Sequence, residues 1–392
     1  MLKIVIGTSV EGANFYGRDA ELTTLERMLE TDHVLLLAPR RVGKSSVLKA
    51  MLPGPTADGR FPVFVDVQDV RTERDFVQAL VAAIHAHPGA KKLRPGWLAQ
   101  RRAKSSSRVQ SLQLPGGVGF ELKDVEHGWQ AAADHAFDQL LAIDARWLIL
   151  VDELPNVVVA LAAADPTAVR ARAFLSWFRR LRQRRDAADK LRFVLCGSIG
   201  LDAVARRHVL SDTINDLRSW TLGPFDADTA DSFVAELADA YEWVMAPAVR
   251  TRILAEIEWL IPHHLQGVMS ELMHQPHGGI VDERHVVAAI EALIGRRNYF
   301  NSWDERLTPS LGTPHDGHAR VILRQCARDP RGAIGASVNA AMADEIADAR
   351  TRATAIAELR DVLSHDGYLV EDGERLRFRS SILRRFWARH FP

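Results

Sequence analysis

The sequence predicts an α/β protein: a parallel sheet with helices on both faces, then a helical lid, then a winged helix-turn-helix segment. Three observations carry this. Short apolar runs rich in branched side chains recur at His33 to Leu37, Phe61 to Val67, Trp147 to Val151 and Leu191 to Cys196, as fully buried parallel strands do. Helical patterns fill the gaps between them, such as Asp75 to His85, and parallel strands need such crossovers. Beyond about residue 225 strands give way to Ala-rich helical spacing, and the chain closes on three helices and a hairpin.

The first strand is the most informative. His33-Val34-Leu35-Leu36-Leu37-Ala38-Pro39-Arg40-Arg41-Val42-Gly43-Lys44-Ser45-Ser46 reads as an apolar strand, a tight loop and a helix start. That is the layout of a phosphate-binding P-loop. Phosphate needs inward N–H groups, a positive helix end, an ammonium for the β and γ oxygens and a hydroxyl for Mg2+. Pro39, Arg40, Arg41 and Val42 form the loop, Gly43-Lys44-Ser45 fill the last three motif positions, and Ser46 continues the helix. Ala38 stands where the motif begins with glycine, which demands a negative φ because a Cβ penalises the left-handed region.

The Trp147 strand ends on Asp152 and Glu153, and in an open parallel sheet such ends face the ligand. Asp152, with the Ser45 hydroxyl, is expected to hold Mg2+, and Glu153 to orient and deprotonate the water that attacks the γ-phosphate. The Leu191 strand closes on Gly197-Ser198, and Ser198 is expected at the γ-phosphate or the attacking water. Alone, these endings would be solvated acids and a turn serine. In this order, behind a P-loop, they form the layout of a P-loop ATPase with a catalytic glutamate.

Asn14-Phe15-Tyr16-Gly17-Arg18-Asp19-Ala20-Glu21-Leu22, ahead of the loop, resembles the F-x-G-R-x-x-E-L opening of STAND-type and archaeal-type AAA+ ATPases, relatives of the origin-recognition initiator ATPases. Ile261-Pro262-His263-His264-Leu265-Gln266 is similar to the G-x-P-x-x-L start of their lid. Asp366-Gly367-Tyr368-Leu369 and Phe378-Arg379-Ser380, with Leu383-Arg384, look like their winged-helix ending. Ala38 and Ile261 depart from that pattern, each standing for a glycine. The resemblance implies ATP or ADP as ligand, with Phe15, Tyr16 and Arg18 near the adenine and Pro262 approaching from the lid. It also implies an arginine offered to a neighbour's γ-phosphate, for which Arg206 and Arg207 are the candidates with Arg218 behind them.

The 392 residues suffice for two or three domains with their own cores, expected at 14–225 (ATPase), 226–298 (lid) and 318–392 (winged helix), joined by a Pro/Gly/Ser-rich linker at 299–317. Lys plus Arg and Asp plus Glu number 50 each, so any basic surface is local. Cys196 and Cys326 follow no metal or redox spacing, no apolar run approaches about 18 residues, and the apolar start is too short for a signal peptide. A cytoplasmic protein without a membrane span is expected.

Three basic clusters are candidate nucleic-acid surfaces. Lys91, Lys92, Arg94, Arg101, Arg102, Lys104 and Arg108 surround Trp97 and read as a solvated insertion. Arg179, Arg180, Arg182, Arg184 and Arg185 read as the wet face of a helix buried through Phe174, Leu175, Trp177, Phe178 and Leu181. Arg375, Arg377, Arg379, Arg384, Arg385 and Arg389 lie in the wing and last helix, beside a near-neutral recognition helix bearing Glu358, Arg360 and Asp361. His263-His264 lacks a third ligand at metal-binding spacing. These readings predict an ATP-binding, ATP-hydrolysing switch acting on a protein partner in a separate chain, with nucleotide-dependent self-association. The alternatives are a DNA-binding initiator-like protein, using the basic patches, and a P-loop small-molecule kinase. A carboxylate placed to activate water would waste ATP in a kinase.

Overall fold

The computed structural model describes residues 1–87, 111–113, 119–121, 125–165, 167–197 and 200–391. The chain divides into two compact units. A sheet unit comprises Ala20–Leu37 and Val47–Thr221; a helical unit comprises Met1–Asp19, Ala38–Ser46 and Leu222–Pro392.

The sheet unit runs α1 (Asp19–Leu29), β1 (Val34–Leu37), α2 (Lys44–Ala50), β2 (Arg60–Asp66), α3 (Glu73–Ala86), a hairpin of β3 (Ser111–Gln113) and β4 (Gly119–Glu121), α4 (Val125–Leu141), β5 (Arg146–Asp152), α5 (Leu154–Ala164), α6 (Val169–Arg182), β6 (Leu191–Cys196), α7 (Leu201–Arg207) and β7 (Arg218–Thr221). Five strands pair in the order β2-β5-β6-β1-β7, all parallel. Their apolar runs are buried from both sides, with β6 buried along its whole length. The chain leaves β1 for the far edge and returns through β5 and β6, so strand order switches direction beside β1, where such sheets bind ligands.

Helix α6 buries the predicted face, with Phe174, Trp177 and Phe178 packed on Phe76 and Phe193. The Trp177 indole N–H donates to Asp134 (2.8 Å), so the ring is buried with its polar edge satisfied. The expected wet face needs one correction. Arg182 is buried: it forks onto both oxygens of Asp216 (2.8 Å each) and donates to Thr213 O (2.9 Å), because a guanidinium enters a core only where acceptors meet it. The Lys91–Arg108 cluster with Trp97, like Ser198, lies outside the described residues.

The helical unit continues with α8 (Ala227–Ala240), β8 (Val244–Met245), α9 (Pro247–Ile257), α10 (Pro262–Leu272), β9 (Ile280–Val281), α11 (Glu283–Gly295), α12 (Arg297–Glu305), α13 (Leu307–Leu311), α14 (His315–Ala327), β10 (Ala333–Ile334), α15 (Gly335–Ala341), α16 (Ala349–His365), β11 (Leu369–Asp372), β12 (Arg375–Phe378) and α17 (Ser381–His390). Segment 299–317, expected as a linker, carries the rest of α12 and all of α13, and Phe300, Trp303, Leu307 and Leu311 are buried. Those four side chains recur at helical spacing and need a core, which outweighs the turn-forming residues between them. Ala333 and Ile334 add a third strand to the expected hairpin by pairing with β12, completing the sheet β10-β12-β11. Along the chain β10 lies between α14 and α15, and β11 and β12 follow α16. Among the described residues no helix is long and apolar enough to cross a membrane.

Candidate functional site

β1 delivers the chain into the loop at Ala38–Val42. Two left-handed positions shape that loop, Arg41 (φ 65°) and Gly43 (φ 110°), and Ala38 falls outside that region, as its Cβ requires. Alternating handedness over neighbouring residues turns backbone N–H groups inward into an anion-binding nest. Gly43 supplies its kink without steric cost; Arg41 supplies the other at a cost of roughly 1–2 kcal/mol for a residue with a Cβ.

Lys44 is 7 % exposed, and its ammonium donates to two carbonyls of its own loop, Ala38 O (2.8 Å) and Pro39 O (3.1 Å). Ser45 follows in the first turn of α2, and the Ser46 hydroxyl accepts from the Val10 N–H (3.0 Å). Of the opening segment, Phe15 caps a short helical turn, while Tyr16 packs on Phe233 and donates to Glu236 (2.7 Å). Arg18 is buried, lies over the Phe225 ring, and donates to Val42 O (3.2 Å) and Gly223 O (2.8 Å). Its guanidinium thus braces the loop through a carbonyl.

The three residues ahead of Val42 are held as well. Arg40 donates to Ser302 O (2.8 Å), and Arg41 reaches Ser302 Oγ (3.0 Å) and His263 Nε2 (2.7 Å). A Cβ on Gly367 would lie 2.6 Å from both Pro39 Cβ and Trp259, so only glycine lets that backbone approach the loop. His263 is the second residue of α10, directly after Pro262, whose missing N–H suits a first helical position. Its ring stacks on Tyr299 (4.4 Å between centroids, 8° between planes), and the Tyr299 hydroxyl donates to His263 O (2.6 Å). Burial, then the neighbouring Arg41, push the His263 ring far below its usual pKa; it stays neutral and accepts from Arg41. Burial alone pushes Arg41 down, and burial pushes the Tyr299 phenol up.

In the sheet unit, β5 ends on Asp152, which is 4 % exposed. Its Oδ1 accepts from the Glu153 N–H (3.0 Å) and from Cys196 Sγ (3.1 Å), which fixes the carboxylate plane. Glu153 begins α5 in a left-handed conformation (φ 64°), and its Oε2 accepts from Asn156 (3.3 Å). Because the sheet is parallel, the carboxyl ends of β1 and β5 point to one edge, with β6 between them. Asp66 ends β2 in register with Asp152, adding a carboxylate that the sequence reading left aside. Arg206 and Arg207 are exposed at the end of α7, where Arg206 lies 3.6 Å from Asp202, and Arg218 donates to Asp32 (3.0 Å).

The residues that sequence reasoning missed are His263, Tyr299 and Ser302. Their one local signal was the position of His263 behind Pro262; their chemistry lies in partners distant along the chain. Oxygen donors such as the Ser45 hydroxyl and the Asp152 carboxylate suit Mg2+, a hard cation.

Residues 8–275 match the family described as Novel STAND NTPase 1. Among solved structures, the Walker-type ATPase PABY2304 of Pyrococcus abyssi aligns over 98 % of this chain and 99 % of its own, with a TM-score of 0.64 and 17 % identity. The Aeropyrum pernix ORC2 protein, solved in ADPNP–ADP complexes, aligns over 96 % of both chains with a TM-score of 0.54 and 11 % identity. At these identities the likeness shows the fold. No curated protein matches in sequence. The parallel sheet, the loop built around Gly43-Lys44-Ser45 and the family match agree: the chain is a P-loop NTPase and belongs to the Novel STAND NTPase 1 family.

Proposed function

We propose that this protein binds ATP with Mg2+, hydrolyses it, and acts as a switch in which nucleotide state alters how the lid and winged helix hold the phosphate loop. The observation that supports the switch is the grip on that loop: Pro39, Arg40 and Arg41 are each held by residues of 259–302 or by Gly367. A triphosphate that draws the Lys44 ammonium off Ala38 O and Pro39 O shifts the loop those contacts seize. Phe15, Tyr16, Arg18 and Pro262 are the proposed neighbours of the nucleotide, and the loop from Pro39 to Ser46 its phosphate cradle.

Ser45 and Asp152 would hold Mg2+, which supplies charge neutralisation on the β and γ oxygens. Glu153, oriented by Asn156, takes the proton of the attacking water. Ser198 and an arginine such as Arg206 or Arg207 are proposed to act on the γ-phosphate. A separate protein is the proposed partner, in the cytoplasm, where the buried thiols of Cys196 and Cys326 stay reduced. Wing and last-helix arginines argue for protein over DNA. Arg377 pairs with Asp372, Arg385 with Glu256 and Glu291, and Arg379 and Arg384 donate to backbone carbonyls. Charges committed within the unit are poor phosphate clamps.

Glu153→Gln is the test. The variant is expected to bind ATP like the wild type while releasing phosphate on the order of 10²–10⁴ times more slowly. Release at the wild-type rate removes Glu153 as the base, and a wild-type chain that binds no ATP removes the reading.

A further inference from the structure

Arg41 is an unusual residue for its backbone. Of the two left-handed positions in the phosphate loop, one is Gly43 and the other carries a long charged side chain. A strained conformation persists only where its surroundings over-determine it. Here the guanidinium supplies that determination, with one nitrogen 2.7 Å from His263 Nε2 and the other 3.0 Å from Ser302 Oγ. Both acceptors are themselves fixed. His263 lies flat on Tyr299, whose hydroxyl donates to the His263 carbonyl, while the Ser302 carbonyl is taken by Arg40. We propose that His263 and Ser302 are positioning residues of the phosphate site: through the Arg41 guanidinium they hold the loop in its anion-nesting shape. The proposal rests on the reading of this loop as the nucleotide's phosphate cradle.

His263 and Ser302 therefore contribute to nucleotide affinity without touching nucleotide. Their contribution is preorganisation, since a loop already shaped for phosphate loses less freedom on binding. The neutral state of His263 suits this role, because a protonated ring would repel Arg41 instead of accepting from it.

Glycine at position 41 separates this role from simple packing. It takes the left-handed conformation without help, so it should make the loop indifferent to the loss of its holders. His263→Ala with Ser302→Ala is expected to weaken ATP binding roughly tenfold by calorimetry and to speed hydrogen exchange of amides 38–46 in the nucleotide-free protein. Adding Arg41→Gly to that double variant is expected to restore both readouts to those of Arg41→Gly alone. Ser302→Ala alone, the milder change, gives a smaller loss in the same direction if the double variant folds poorly. Unchanged affinity and exchange, or a loss that Arg41→Gly does not rescue, would overturn the proposal by showing that these residues act only in packing. A wild-type chain that binds no ATP defeats the nucleotide reading separately, and the nucleotide-free exchange comparison still decides the positioning role.

Discussion

Lys44 spends its charge on carbonyls that carry only partial negative charge, Ala38 O and Pro39 O. Phosphate oxygens are the stronger acceptors, and charge-assisted hydrogen bonds contribute about 1.5–3 kcal/mol each. Replacing Lys44 by alanine should therefore cost at least about tenfold in ATP affinity with a melting temperature near that of the wild type, because these two bonds lie within one loop. Calorimetry with ATP and Mg2+ checks this, and wild-type affinity in Lys44→Ala would take the residue out of the site. The neighbouring carboxylates Asp152 and Glu153, at the end of β5 and the start of α5, show a second residue-scale device. Glu153 is left-handed without being glycine, like Arg41, and both belong to the proposed site. Backbone strain of this kind clusters at sites whose geometry the rest of the fold enforces.

At the scale of elements, β1 is bolted to its neighbours by His33. One ring nitrogen accepts from the Phe193 N–H of β6 (3.1 Å), so the other donates to Arg182 O at the end of α6 (3.1 Å). That pattern needs a neutral ring, and burial holds the His33 pKa down at about 4; burial likewise holds His264, in α10, at about 3. An unfolded histidine takes up its proton near pH 6.5. Between there and pH 4 the unfolded chain binds more protons than the folded one, so stability is full above about pH 6.5 and falls as the pH drops through that window. Denaturant midpoints at pH 7.5 and 5 check this, and His33→Gln should flatten part of the slope. Equal midpoints would mean that the rings are not buried neutral. The strands around His33 were legible because branched apolar runs with polar ends are local signals. Segment 299–317 was not, because its Asn, Ser, Pro and Gly residues hid the helical spacing of Phe300, Trp303, Leu307 and Leu311. The phosphate loop was legible as a motif, whereas its attachment to His263 and Ser302 is written more than 200 residues downstream and only folding reveals it.

At the scale of the whole molecule, the proposed hydrolysis either runs within one chain or draws on a second. The transition state spreads charge onto the γ-phosphate oxygens, and a guanidinium from another subunit can pair with them. Arg206 and Arg207 end α7 exposed to solvent, and Arg206 is 3.6 Å from Asp202 on its own helix, a pair whose worth at the surface is about 0–1 kcal/mol and easily exchanged for phosphate. If they serve a neighbour, hydrolysis per subunit should rise with protein concentration, and Arg206→Ala with Arg207→Ala should flatten that rise while leaving ATP affinity intact. Mixing that double variant with Lys44→Ala sharpens the test. Each lacks what the other keeps, so activity should reappear in the mixture if one subunit binds nucleotide while the other supplies the arginine. A rate per subunit that stays constant on dilution, with no recovery on mixing, would make each chain self-sufficient and leave the stimulating group to a partner protein.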